Sequence, residues 1–152
     1  MDHKKYKKIA IGGTFDKLHD GHKKLLTTAF ELGEKVEIGV TSNAFGGLKG
    51  NIDSCEDRMN GLKEFFFDKS NYVVSILEDS YGTTVFDDKF DAIVVSEETE
   101  PVAVEINEIR NSKGMLPLDI VVVSFVLADD GRPISSTRIR NGEINKKGNI
   151  LK

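Results

Sequence analysis

The sequence predicts an α/β fold, a doubly wound parallel sheet of five strands with helices on both faces. Three observations predict it. Short apolar runs alternate along the chain with stretches whose apolar residues recur at helical spacing. The runs are near-continuous in character, which marks strands covered on both sides. No internal repeat, low-complexity tract or Pro/Gly-rich linker divides the 152 residues, so a single domain over 1–152 is expected.

The elements follow in order. Lys8 to Gly12 is a short β-type run ending in glycines, a first strand. Gly21 to Leu32 places Leu25, Leu26, Ala29, Phe30 and Leu32 near one helical face, and Gly33 sits where a helix C-cap belongs. Val36 to Val40 is a second strand. Residues 54–67 are helical again, with Met59, Leu62, Phe65 and Phe66 as the inward stripe. Tyr72 to Leu77 and Asp91 to Val95 are strands three and four. A helix follows Ser96-Glu97-Glu98-Thr99, with Val104, Ile106 and Ile109 facing inward. Asp119 to Leu127 reads as a fifth strand so apolar that both its faces must be covered. The last helix starts near Ser135, where Ser136 and Thr137 add further N-cap residue types. The order is that of a Rossmann-like sheet.

Composition removes several function classes. A formal net charge of −4 argues against a nucleic-acid partner, which favours a basic excess. The single cysteine, Cys55, makes no internal disulfide, and no Cys/His pair has zinc spacing. The charged start MDHKKYKK lacks the apolar stretch of a signal peptide and is expected to fray, and no run approaches a membrane span. A cytoplasmic location is expected. The polar end, about 145–152, is expected to be loose.

In open α/β sheets the ligand crevice lies at the carboxyl ends of the strands, and the first strand-to-helix loop usually meets phosphates. That loop reads Gly12-Gly13-Thr14-Phe15-Asp16-Lys17-Leu18-His19-Asp20-Gly21-His22. It is neither a GxxxxGK[ST] loop nor a GxGxxG fingerprint. It offers two glycines for close backbone approach, the Thr14 hydroxyl, and two histidines three residues apart at a helix mouth, with Gly21 between them to admit a flat ligand. Spacing alone leaves open whether His19 merely packs and His22 merely caps. The second cluster, Ile134-Ser135-Ser136-Thr137-Arg138-Ile139-Arg140, places three hydroxyls at a helix start with two guanidinium groups suited to phosphate oxygens. An ordinary N-cap with a solvated face is the alternative.

GGTFDKLHDGHKKLL together with ISSTRIR resembles the nucleotidyltransferase superfamily marked by the HxGH and ISSTxxR signatures. LEDSYGTT at 77–84, VVSEET at 94–99 and INEIRNSKGMLPLDIVVV narrow the resemblance to the archaeal and eukaryotic type of phosphopantetheine adenylyltransferase, from Ile9 to about Ile144. It implies transfer of the adenylyl group of ATP to 4′-phosphopantetheine, releasing pyrophosphate, with dephospho-coenzyme A and coenzyme A as product-like ligands. His19 and His22 match the histidines that contact the ATP phosphates, and Thr14 the threonine that holds the attacking phosphate. Gly12, Gly13, Phe15 and Gly21 belong to the same phosphate-binding loop. Ser135, Ser136 and Thr137 match the segment on the β- and γ-phosphates, with Arg138 and Arg140 in the same motif. Lys49 is the counterpart of a lysine near the transferred phosphate, and Ser96, Glu97, Glu98 and Thr99 stand in the substrate vicinity. Bacterial relatives carry arginines after the fourth strand where this chain has Ser96–Thr99. Arg58 and Arg110 are substitutes by charge alone, and exposed helix positions are the expected place for both.

The acceptor is an ionised phosphate, so the chemistry calls for positioning and charge stabilisation and needs no general base. Mg²⁺ is expected to be carried by the phosphates with few protein ligands. Siblings acting on FMN or glycerol 3-phosphate share TFDxLHxGH and remain the alternative enzymes, and a nucleotide-binding regulator without catalysis is the alternative class. Phe65, Phe66 and Phe67 read as core or oligomer contacts; monomer and homo-oligomer are equally open.

Overall fold

The computed structural model describes residues 4–46, 52–66 and 68–151. Five parallel strands, β1 (Tyr6–Gly13), β2 (Gly33–Thr41), β3 (Tyr72–Leu77), β4 (Ala92–Ser96) and β5 (Asp119–Val123), lie in the order β3-β2-β1-β4-β5. The helices are α1 (Asp20–Leu32), α2 (Asn43–Gly46), α3 (Cys55–Phe65), α4 (Glu100–Ser112) and α5 (Ser136–Arg140), with a 3₁₀ turn at Gly82–Val85. This is the Rossmann-like, doubly wound arrangement read from the sequence.

The strand period of two divides the core into two layers. Ile9, Ile11, Ala92 and Val94 face α1 and α3, meeting Leu26, Ala29, Phe30 and Leu62. Ala10, Ile93 and Val95 face the opposite way, meeting Ala103 and Ile106 of α4 with Val85, Phe90 and Leu118. Helices therefore cover both faces, and the order reverses between β1 and β4. The carboxyl ends of those two strands open there as a switch point.

Several local expectations need correcting. β5 ends at Val123, four residues short of the predicted Leu127, and it is an edge strand. Ile120 and Val121 are only partly buried, Val122 is 42% exposed and Leu127 57% exposed. Leu127 instead forms an isolated antiparallel bridge with Pro133. On α4 the inward positions are Ala103, Ile106 and Arg110, while Val104 is 47% exposed. Gly33 caps α1 as expected, but its backbone is extended (φ −109°) and opens β2. Glycine is needed there for space: a Cβ would lie 2.4 Å from Ile9 Cγ2. The end expected to be loose folds back. Ile144, fully buried, bridges Ile150; Asp129 N donates to Gly148 O and Asp20 N to Lys146 O.

Arg58 and Arg110, expected to be exposed, are 3% and 1% exposed. Arg110 donates to the carbonyls of Leu116, Thr84 and Asp87 and ties the 3₁₀ turn to α4. It is a structural residue, and it does not line the cleft described below.

Candidate active site

β1 delivers the chain to its carboxyl end at Gly13, and the loop that follows is held in an uncommon shape. Phe15 and Lys17 both have φ +54°, a left-handed conformation that costs non-glycine residues of the order of 1 kcal/mol or more. Packing holds it: Phe15 is buried, its ring edge-on to His22 at 5.4 Å, and Lys17 pairs with Asp53 at 3.0 Å.

The loop then enters α1 through a reciprocal cap made of the two histidines. Nδ1 of His19 accepts from the amides of Gly21 (3.1 Å) and His22 (3.3 Å), and Nδ1 of His22 accepts from the His19 amide at 3.3 Å. An Nδ1 that accepts carries no proton, so each neutral ring carries its proton on Nε2. The rings stack at 3.7 Å between centroids and 17° between planes. Burial pushes His19 down to about 4, so it is neutral at neutral pH. Capping and ligand contact, alternatives on spacing alone, are compatible at His19, because its cap uses Nδ1 and the proton of the neutral ring sits on Nε2. Gly21 also serves the cap: a Cβ there would lie 2.9 Å from His19 Cε1.

The second motif meets the first at Asp16, a residue the sequence reading passed over. Asp16 is 1% exposed. Its Oδ2 accepts from Arg140 Nη1 at 2.6 Å, its Oδ1 from the Asp53 amide at 2.9 Å, and its carbonyl from Ser136 Oγ at 2.6 Å. Arg140 Nη2 also donates to Thr137 Oγ1 (3.2 Å), and Ser135 Oγ caps α5 by accepting from the Arg138 amide (3.2 Å). Ser135 and Thr137 thus keep their own hydroxyl protons for another acceptor.

Arg138 is a correction. It turns away to Asp130, Glu143 and the Pro133 carbonyl, and it does not line the cleft. Residues two apart on a helix stand on opposite faces, so Arg138 and Arg140 cannot serve one anion together. The Arg138 guanidinium holds the Asp130 carboxyl well below the usual carboxylate range.

Both motifs line one cleft of about 320 Å³ at the carboxyl ends of β1, β4 and β5. Its walls include Gly12, Gly13, Thr14, Phe15, His19, Gly21 and His22 from one side and Ser135, Ser136, Thr137 and Arg140 from the other. Ser96, Glu98 and Thr99 close a third side, in a turn where the Ser96 amide donates to Thr99 Oγ1 (3.0 Å) and the Thr99 amide to Ser96 Oγ (3.3 Å). Glu97 does not line it. Lys49 and Phe67 lie outside the described residues. The sequence reading also missed Leu25, Ile52 and the segment Ser124 to Val126; Leu25, Ile52, Phe125 and Val126 add to the apolar part of the wall. Residues 124–126 were hidden inside an over-long strand. A larger hollow of about 920 Å³ opens at the other end of the sheet, among Lys7, Lys35, Tyr72 and Lys89. None of the residues marked by the sequence reaches it.

The cleft at the switch point sets two stacked imidazoles opposite a hydroxyl-rich turn and an arginine, groups suited to phosphate oxygens. The chain matches the Cytidylyltransferase-like family over residues 10–142 and belongs to it. Within that class it belongs with the phosphopantetheine adenylyltransferases. It is 56% identical over 151 residues to the enzyme of that name from Methanothermobacter thermautotrophicus, covering 98% of this chain and 92% of that one. It is 51% identical over 148 residues to the one from Methanopyrus kandleri, covering 93% of each. Among solved structures it is similar to a protein of unknown function from Archaeoglobus fulgidus, with a TM-score of 0.72 and 34% identity over 76% of this chain and 88% of that one.

Proposed function

We propose that the chain transfers the adenylyl group of ATP to 4′-phosphopantetheine, giving dephospho-coenzyme A and pyrophosphate in coenzyme A biosynthesis, and that it does so in the cytoplasm. The observation that carries the mechanism is the joining of both phosphate-type segments at Asp16 around one cleft. The full-length likeness to phosphopantetheine adenylyltransferases supplies the acceptor.

An oxygen of the acceptor phosphate attacks the α-phosphorus of ATP, and the bond from that phosphorus to the α–β bridging oxygen breaks. The attacking phosphate is already an anion, so nothing need be deprotonated. The task is to hold anions together and to absorb charge on the α-phosphoryl oxygens. The Nε2 protons of His19 and His22 are the donors for that charge, and both rings are held in advance by their Nδ1 bonds to backbone. A neutral His19 gives this hydrogen bond without the desolvation cost of a buried cation. The Ser135 and Thr137 hydroxyls and Arg140 receive the leaving pyrophosphate, and Thr14 orients the acceptor.

Magnesium enters with ATP in this reading. Carried by the triphosphate, it would neutralise charge on the leaving pyrophosphate.

The test is pyrophosphate release by the purified protein with magnesium-ATP and 4′-phosphopantetheine, beside FMN, and glycerol 3-phosphate with CTP. Release with phosphopantetheine alone is expected, with dephospho-coenzyme A as product. Release with a different acceptor keeps the mechanism and discards the substrate. Nucleotide binding with no release from any acceptor returns the chain to a regulator.

A further inference from the structure

Arg58 belongs to neither signature and stands on α3, yet its guanidinium reaches the loop that carries the first of them. The side chain is 3% exposed. Nε donates to the Asp53 carbonyl at 2.8 Å, and Nη1 donates both to the Thr14 carbonyl at 2.9 Å and to Thr41 Oγ1 at 3.1 Å. Thr41, 4% exposed, lies at the end of β2, and its hydroxyl donates to Thr14 Oγ1 at 3.2 Å. No carboxylate among the described residues pairs with Arg58, so this buried cation is held by neutral oxygens.

The proton directions along this chain are fixed by chemistry. A guanidinium can only donate, so Thr41 Oγ1 is an acceptor towards Arg58. The Thr41 hydroxyl is buried, and its own proton must find an acceptor; the one recorded is Thr14 Oγ1. Thr14 Oγ1 is then an acceptor in its turn, and its proton is left for something else. Thr14 is only partly buried and lines the cleft, whereas Arg58 and Thr41 do not. The arrangement is a one-way relay that ends in a donor facing the ligand. Arg58 Nη2 is buried, has no hydrogen-bond partner among the described residues, and lies 3.5 Å from where a Cβ on Gly46 would stand. Its charge, with no carboxylate in ion-pair contact among the described residues, lies beneath Thr14.

We infer that Arg58 and Thr41 are positioning residues for the transfer, fixing the Thr14 hydroxyl with its proton turned into the cleft for the acceptor phosphate. The inference rests on the adenylyl-transfer reading, in which Thr14 meets that phosphate. A lysine could not replace this arrangement by charge alone, because two donated bonds of fixed geometry set the loop carbonyl and the Thr41 oxygen together.

The experiment is a double-mutant cycle read by steady-state kinetics, with thermal melting to confirm folding. Thr41→Val keeps the side-chain shape and removes the donated proton. It is expected to lower kcat/KM for phosphopantetheine about tenfold, the scale of one lost hydrogen bond. The KM for ATP stays unchanged, and Thr41→Ser returns the rate to within about twofold of wild type. In a Thr14→Ala background Thr41→Val has little further effect, because the relay then has nothing at its end. Arg58→Lys, which keeps the charge and loses the fork, behaves in the same way in both backgrounds. Additive losses in the two backgrounds, or a Thr41→Val enzyme as fast as wild type, overturn the inference alone. A wild-type protein that makes no dephospho-coenzyme A, or a Thr14→Ala variant with normal turnover, overturns the underlying reading and the inference with it.

Discussion

Replacing Arg140 by methionine isolates the energetic role of the joint between the two motifs. The change removes the 2.6 Å partner of Asp16 Oδ2 and leaves a carboxylate, 1% exposed, with a single amide donor from Asp53. Breaking a fully buried pair by deleting one member costs about 3–5 kcal/mol. The Arg140 side chain is 17% exposed, so water can reach part of the vacated site, which discounts the cost to about 2–3 kcal/mol. For a domain of this size that is a drop of about 5–10 °C in Tm. The double variant Asp16→Asn with Arg140→Met removes the stranded charge and keeps an acceptor for the Asp53 amide. It is expected to recover to within about 1 kcal/mol of wild type while both variants share a raised KM for ATP. Urea and thermal unfolding by circular dichroism measure the first part, and initial rates the second. An Arg140→Met protein as stable as wild type would refute the reasoning, as would a double variant less stable than the single one.

Four other outcomes are expected. His22→Ala lowers turnover by about two to three powers of ten, the scale for losing one transition-state donor; a few-fold loss in a folded protein removes it from the mechanism. His19 titrates near 4 in the fold against 6.5 unfolded, so its contribution to stability is full above 6.5 and is lost as the pH falls towards 4. Up to about 3 kcal/mol goes in that window, and His19→Asn, which still caps the helix, should flatten that part of the curve measured by urea titration. Gly33→Ala forces a methyl to within 2.4 Å of Ile9 Cγ2 and costs about 2–3 kcal/mol, read as a lower urea midpoint at unchanged slope. Arg138→Gln leaves the KM for ATP within about twofold of wild type, because its guanidinium serves Asp130 and Glu143 outside the cleft; a large rise would return Arg138 to the site.

The sheet was legible because strand and helix periods differ and because few residues along β1 to β4 contradict them. β3 falls at Tyr72–Leu77 as read. β5 was over-extended because Ser124-Phe125-Val126-Leu127 is as apolar as a strand; its residues line the cleft and bridge Pro133, which sequence pattern alone does not separate from ladder pairing. The two arginines failed for a different reason. Residue type suggested exposure, yet Cys55, Arg58, Leu62 and Phe66 share one stripe, as do Ala103, Ile106 and Arg110. Position on the stripe was the better guide, since a buried guanidinium is tolerated wherever backbone carbonyls converge on it. Asp16 left no sequence signal of its own, because its partners Ser136 and Arg140 are more than 100 residues away.

That separation has a consequence for how the protein comes into being. Every strand of the sheet precedes residue 124, whereas the hydroxyl segment, Arg140 and the carbonyl of Lys146 that accepts from the Asp20 amide all follow residue 134. During synthesis the scaffold can assemble first, and the buried Asp16 must await its counter-charge until Arg140 arrives. A chain that stops short of residue 135 has the whole sheet and lacks the turn that meets the first loop.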